Sequence, residues 1–116
     1  MNSNMVGLFV AQAILFAAFA AGAGIEIAQD HADALYRAGE EAVFTVAVKD
    51  DSGTLVKSGM ADWALDNFGS VRIGAGKADL AAGNPFTIKG TMKEEGFLRL
   101  TVNSTTNKVV WGVGYD

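Results

Sequence analysis

The chain has 116 residues, a length that allows one domain of ordinary size. Its 13 acidic and 9 basic residues are scattered among one another, and the resulting net charge of −4 argues against nucleic acid as a partner. Because the chain has no cysteine, disulfide bonds and a thiol-linked lipid are excluded, so the fold must be held together by burial alone.

The first 23 residues have the composition of a secretory signal. The run MVGLFVAQAILFAAFAAGAG has Gln12 as its one strongly polar side chain, and the first charged residue of the chain is Glu26. Such a run, ending in small residues, predicts a helical signal peptide over residues 1–23. A retained anchor is the alternative, because MNSN carries no Lys or Arg and roughly 20 apolar residues can span a bilayer. The protein is therefore predicted to be secreted or periplasmic, and to meet a membrane only if this leader is not cleaved.

After the leader, the chain alternates apolar and polar residues as β-strands do. GIEIAQ alternates in this way, and AVFTVAVK is the strongest strand, with Phe44, Val46 and Val48 on one face. Between these two runs, DHADALY is expected to form one helical turn capped by Asp30.

The second half of the chain continues the same pattern. In MADWALD, we expect Ala61, Trp63 and Leu65 to face the core, and FLRLTVN and KVVWGVGYD alternate likewise. Gly, Asn, Asp and Ser separate the runs. About seven short strands with such punctuation predict an all-β, antiparallel, immunoglobulin-like sandwich over residues 24–116.

The stretch GTMKEEGFLRLTV, residues 90–102, places a charged turn between two apolar runs. We interpret it as a turn that connects two late strands. Gly96 would supply a backbone conformation closed to other residues, and Phe97 would follow it toward the packed body.

Sequence motifs for catalysis and for cofactor binding are absent from the chain. His31 is the single histidine, and no G-x-S-x-G motif accompanies it, so no catalytic residue is predicted. GAGK at residues 74–77 fails as a phosphate loop, because Val71 stands where a glycine is needed and Ala78 where Ser or Thr is needed. We interpret GAGK as a turn between strands and predict no cofactor.

Two pairs of neighbouring carboxylates are the candidates for a metal site. Asp50 with Asp51, and Glu94 with Glu95, are residue types that bind hard cations. Both pairs lie in predicted hairpin turns, where solvated acids are common, and neither has the spacing of a calcium loop. The sequence therefore predicts no metal site.

Three aromatic residues are candidates for stacking on sugar rings, namely Trp63, Trp111 and Tyr115. Each offers a large apolar ring with a polar group. The alternation of their strands places both tryptophans on core-facing positions, which is the competing interpretation.

Two separate stretches, DHADALYRAGEEAVFTVAV and GTMKEEGFLRLTV with the later VGYD, resemble the N-terminal domain of bacterial acetyl xylan esterase-like proteins, which are related to cephalosporin-C deacetylases. The residues that carry the resemblance are Asp30, His31, Ala32, Asp33, Tyr36, Gly39, Glu40, Gly90, Thr91, Met92, Gly96 and Phe97. In that family a signal peptide precedes a small β-sandwich, and an α/β-hydrolase domain follows it.

The resemblance implies an ancillary, non-catalytic domain of a secreted bacterial carbohydrate esterase, with the α/β-hydrolase domain as partner and polysaccharide as a further candidate partner. The nucleophilic Ser, the His and the Asp would belong to the hydrolase domain, so this chain is expected not to be an enzyme by itself. Two alternatives stay open: a free-standing carbohydrate-binding module, and a structural or adhesin-type sandwich anchored by an uncleaved leader.

Overall fold

The computed structural model describes residues 24–116, and the predicted signal peptide lies outside this part of the chain. Eight β-strands make up the fold. They are β1 (Ile25–Gln29), β2 (Leu35–Tyr36), β3 (Glu41–Val48), β4 (Met60–Asp66), β5 (Arg72–Asp79), β6 (Phe86–Thr91), β7 (Gly96–Asn103) and β8 (Lys108–Tyr115).

The strands form two sheets that enclose one core. The smaller sheet has the order β1-β3-β6, and the larger has the order β2-β8-β7-β4-β5. All pairings between these strands are antiparallel except that of β2 with β8, which is parallel. The prediction of an all-β sandwich is confirmed at this level, with eight strands in place of about seven and one parallel pair.

The core lies between the inner faces of the two sheets, as the alternation of apolar and polar residues along the strands predicted. From the smaller sheet, Phe44 and Val46 are fully buried, and from the larger sheet Leu98, Leu100 and Val102 are fully buried. Successive side chains of a strand point to opposite faces, and β1, β3 and β7 accordingly bury every second residue over most of their length. Burial of these aliphatic and aromatic side chains, at about 1.5–3 kcal/mol each, is the main stabilising contribution.

The predicted helical turn at DHADALY is wrong. The chain turns between His31 and Ala34, whose backbone N–H donates to the His31 carbonyl at 3.0 Å, and then forms β2. Ala34 has a φ of 58°, outside the right-handed helical region, so the turn cannot continue as an α-helix. The carboxylate of Asp33 accepts the N–H of Leu35 at 3.1 Å, a local bond typical of turns.

The interpretation of GAGK as a turn is also wrong, because residues 74–77 lie inside β5. A Cβ built on Gly76 would stand 2.7 Å from the ring of Trp63, and one built on Gly74 would stand 3.7 Å from it. The glycines therefore let the indole of Trp63 lie against the backbone of the neighbouring strand. Glycine in this strand allows a side chain to approach the backbone closely and does not mark a change in chain direction.

The stretch between β6 and β7 connects two sheets. Since β6 belongs to the smaller sheet and β7 to the larger, Glu94 and Glu95 lie in a crossover and not in a hairpin turn as predicted. Phe97 is 59% exposed, so the expectation that it points toward the packed body is wrong. Leu98 enters the core instead, because it lies on the opposite face of β7.

Gly96 begins β7 with a φ of 144°, a backbone conformation that side-chain-bearing residues rarely adopt, and a Cβ there would stand 3.3 Å from the methyl carbon of Met92. We expect Gly96→Val to lower the free energy of unfolding by about 1–3 kcal/mol. For a domain of this size, each kcal/mol corresponds to about 4–8 °C in Tm. Thermal unfolding followed by circular dichroism measures the change.

Gly83→Val is the matched control, because a Cβ at Gly83 would lie 4.0 Å from the Pro85 carbonyl oxygen, an ordinary van der Waals distance, and Gly83 has no positive φ. Equal melting temperatures for the two variants would contradict the role assigned to Gly96.

Candidate functional site

The residues of the resemblance meet at one end of the sandwich. Asp30, His31 and Glu40 come from the loops around β2. Tyr36 is the last residue of β2, and Tyr115 is the last residue of β8. We call these five residues the His31 cluster. The short strand β2 brings them together, because it pairs Leu35 with Gly114 and Tyr36 with Tyr115.

Tyr36 lies at the centre of the cluster. Its side chain is 2% exposed, and its hydroxyl donates to Oδ1 of Asp30 at 2.6 Å and accepts the backbone N–H of His31 at 3.2 Å. The same oxygen of Asp30 also accepts the backbone N–H of Val43 at 3.1 Å. Burial, and then donation to Asp30, raise the pKa of Tyr36, so this hydroxyl stays protonated and acts as a fixed donor.

The ring of His31 stacks on that of Tyr36, with centroids 4.1 Å apart. Its Nδ1 lies 2.7 Å from the carbonyl oxygen of Leu35, and its Nε2 lies 3.0 Å from Oε2 of Glu40. A carbonyl oxygen and a carboxylate are both acceptors, so both contacts are satisfied when both ring nitrogens carry protons. The bond to Leu35 raises the pKa of His31 from its ordinary value, burial works against it, and the charge of Glu40 adds to the rise.

Glu40 joins the two stretches that carry the resemblance. Its backbone carbonyl accepts the hydroxyl of Tyr115 at 2.8 Å and that of Thr91 at 2.8 Å. Beside it, the N–H of Gly39 donates to the carbonyl of Met92 at 2.7 Å. Residues some fifty positions apart in sequence are thereby tied into one hydrogen-bonded unit.

An open depression of about 520 Å³ lies over this end of the molecule. It is lined by His31, Asp33, Leu35, Tyr36, Arg37, Glu40 and Asp116. None of these residues supplies a hydroxyl or thiol of the kind that a base activates in Ser, Thr or Cys nucleophiles. Both nitrogens of the His31 imidazole have hydrogen-bond partners. The cluster therefore has the properties of a structural hydrogen-bond network more than those of a proton-transfer site.

The three candidates for sugar stacking are in different environments. Trp63 is half-buried against Gly74 and Gly76, and Trp111 is half-buried with its indole N–H donating to Oε1 of Gln29 at 2.8 Å. Tyr115 is 3% exposed, so its ring offers no free face. Stacking on the two tryptophans stays a prediction.

Of the paired carboxylates, Asp50 accepts hydrogen bonds within its own turn, whereas Glu94 and Glu95 lie in the crossover before β7. Oδ1 of Asp50 accepts the N–H and the hydroxyl of Ser52 and the N–H of Thr54, at 2.7–3.0 Å. The hydroxyl of Ser52 is the main cause of the lowered pKa of Asp50. Among residues 24–116, no group of three or more His, Cys, Asp or Glu side chains is placed to hold a metal ion.

A second cluster was missed in the sequence. Phe68 and Phe97 are exposed with ring centroids 5.7 Å apart, and the guanidinium carbon of Arg99 lies 5.6 Å from the centroid of Phe68. The alternation of β7 contained the signal, because it places Phe97 and Arg99 on the face opposite Leu98. The position of Phe68 depends on the turn that follows β4, which the sequence pattern does not define.

No protein-family model matches the chain, and no curated protein matches it in sequence. In the part of the chain that the structure describes, there is no helix with the length and apolar character needed to cross a membrane.

The contacts of His31 predict a pH dependence of stability. Because folding raises the pKa of His31 above its ordinary value of 6.5, the stabilisation is complete below that pH and is lost as pH rises through the folded-state pKa. We expect the free energy of unfolding to decrease above pH 6.5, as measured by urea titrations at a series of pH values.

His31→Gln is the matched variant, because its amide can still donate to Glu40 but does not titrate. The variant should lack the decrease above pH 6.5 that the parent chain shows. If both proteins lose the same free energy over this range, His31 is not the group responsible.

Proposed function

We propose that the chain supplies an immunoglobulin-like β-sandwich that is the non-catalytic N-terminal module of a secreted, bacterial carbohydrate esterase. In this proposal the reaction is the removal of acetyl groups from a polysaccharide by a serine nucleophile. That serine, with its His and Asp partners, belongs to an α/β-hydrolase domain that follows the sandwich. The sandwich itself is not an enzyme.

The observation that supports this proposal is the meeting of the two resembling stretches in the His31 cluster. Asp30 and Tyr36 from the first stretch bond to each other, and Thr91 from the second bonds to the carbonyl of Glu40. A resemblance spread over two distant stretches is more specific when its residues have a joint structural role. The motif residues are then the residues whose hydrogen bonds close this end of the sandwich.

The chemistry of the cluster also supports an ancillary role. The polar groups at its centre bond to one another: Tyr36 to Asp30, and His31 to Leu35 and Glu40. A catalytic histidine would instead share one nitrogen with a nucleophile. The bonds of His31 therefore serve to position the loop before β2.

A carbohydrate-binding module is the second candidate function, and the half-buried state of Trp63 and Trp111 favours testing it. Partly exposed indoles would change their fluorescence if a sugar ring stacked on them. Under the ancillary proposal, titration with acetylated xylan oligosaccharides leaves the fluorescence unchanged. Saturable quenching would favour the binding module instead.

The decisive experiment is to read the source DNA beyond the codon for Asp116. We expect an open reading frame that encodes a G-x-S-x-G motif on an α/β-hydrolase domain, followed by the Asp and His of the triad. Deletion of that domain should abolish the release of acetate from acetylated xylan. A stop codon directly after Asp116 would contradict the proposal.

A further inference from the structure

A second concave surface lies at the end of the sandwich opposite the His31 cluster. It is a pocket of about 350 Å³ between the loop that joins β3 to β4 and the turn that joins β7 to β8. The His31 cluster contains the last residue of β8, whereas this pocket adjoins the turn before the first residue of that strand. Its volume falls in the range of about 300–1,000 Å³ that is usual for small-molecule sites. We call it the Thr105 pocket, after a residue of that turn.

The inner part of the Thr105 pocket is apolar. Val48 and Leu80 line it and are 4% and 2% exposed, and Val56 packs against the same core. Met60 also lines the pocket and keeps 46% of its surface exposed. An apolar part of a ligand that covers these side chains releases water from them, which favours binding. The pocket therefore suits a ligand with at least one apolar face.

Neutral polar groups line the rest of the pocket. They are the hydroxyls of Ser58, Thr105 and Thr106 and the side-chain amide of Asn107. The amide of Asn107 donates to Oγ1 of Thr106 at 3.1 Å, whereas among residues 24–116 the hydroxyls of Ser58 and Thr105 bond to no protein group. Both of these residues are exposed, and each hydroxyl can donate one hydrogen bond and accept two. A ligand rich in hydroxyl groups matches this wall.

The charged groups at the pocket favour a neutral ligand. The ammonium of Lys49 lies 3.0 Å from the carboxylate of Glu26, and the carboxylate of Asp50 accepts hydrogen bonds within its own turn. The other charged residue of the lining is Asp51, which is exposed and negative. Within the described residues, the pocket thus offers no cation without an acidic partner, and Asp51 would repel an anionic ligand.

Hydrogen bonds fix the walls of the pocket in the absence of a ligand. Asn84, which is 6% exposed, accepts the N–H of Val48 at 3.1 Å and donates to the carbonyls of Val48 and Val56 at 2.8 and 2.7 Å. Across the pocket, the N–H of Ser104 donates to the carbonyl of Asn107 at 2.8 Å. The N–H of Asn107 donates in return to the hydroxyl of Ser104 at 3.2 Å. A ligand that enters such a preformed site orders few protein groups, which lowers the cost of binding.

We propose that the Thr105 pocket binds a neutral sugar unit of a polysaccharide. A pyranose ring has apolar C–H faces and a rim of hydroxyl groups, which correspond to the two kinds of surface in the pocket. In this arrangement, a face of the ring lies on Val48 and Leu80. The sugar hydroxyls bond to those of Ser58 and Thr105, which supply the hydrogen bonds that water supplies before binding.

The choice of xylan as the polysaccharide rests on the proposed function, whereas the preference for a neutral sugar rests on the pocket alone. Neither Trp63 nor Trp111 lines the pocket, so a sugar bound there leaves the tryptophan fluorescence unchanged. In an esterase, the sandwich would hold the substrate chain near the catalytic domain and so raise its local concentration.

Titration of the purified, 15N-labelled chain with xylotriose, followed by two-dimensional NMR, tests the proposal. We expect saturable shifts of the backbone amides of residues 58–59 and 104–107, with a dissociation constant on the order of 1 mM. Trigalacturonate, which has the same number of rings and a carboxylate on each, is the anionic comparison. It should bind about fivefold more weakly or worse, because Asp51 repels it.

The double variant Ser58→Ala with Thr105→Ala removes both proposed hydrogen-bonding groups. Both residues are exposed, so the fold is retained, and we expect the dissociation constant for xylotriose to rise about fivefold or more. Thr45→Ala with Thr87→Ala is the matched control, because these two residues are exposed, pair with each other on the smaller sheet and do not line the pocket. The control should bind xylotriose as the parent chain does.

Four results would overturn the proposal: no saturable shift with xylotriose, shifts centred away from the two loops, equal binding of trigalacturonate, or unchanged binding by the Ser58 and Thr105 double variant. None of them bears on the proposed esterase, which is tested by the DNA beyond the codon for Asp116 and by the release of acetate. The failure of the sugar site and the failure of the proposed function are therefore distinguishable.

Discussion

The buried side chain of Tyr36 is the constraint on which one end of this molecule depends. Its ring packs into the core beside Tyr115, with centroids 5.4 Å apart, while its hydroxyl bonds to Asp30 and to the backbone of His31. These bonds close the loop that leads from the smaller sheet to the larger. As a result β2 lies beside β8, and His31 reaches Glu40.

The hydrogen bonds around Tyr36 also explain why His, Asp and Glu side chains that lie close together here have a structural role. The bonds at the centre of the His31 cluster hold the turn before β2 in place and join it to Glu40, and the acceptors on both sides of His31 favour its protonated form. A histidine held in this way stabilises a fold but is poorly suited to accept a proton from a substrate.

Much of the strand pattern was predictable from the sequence, and the pairing of strands was not. The alternation in β3 and β7 correctly placed Phe44 and Leu98 on inward faces, because burial on one side of a strand imposes a period of two. The same pattern carries no information about which sheet a strand joins. For that reason the crossover before Gly96 was expected to be a hairpin.

Two further differences arise from long-range contacts. The stretch that contains Gly74 and Gly76 has a composition typical of a turn. In the structure, these two glycines instead leave space for the ring of Trp63 from the adjacent strand. The His31 cluster was visible only as a set of motif residues, because the bond between Thr91 and Glu40 joins distant parts of the chain. The pair Phe68 and Phe97 likewise depends on how a turn folds back over the sheet.

The most direct test of the central claim is the urea unfolding of Tyr36→Phe, which removes one hydroxyl and keeps the packed ring. If the bond to Asp30 holds the cluster together, the free energy of unfolding should fall by about 1–2 kcal/mol. The pH dependence attributed to His31 should weaken with it, because the ring of His31 stacks on Tyr36. A variant with the stability and the pH dependence of the parent chain would contradict the account.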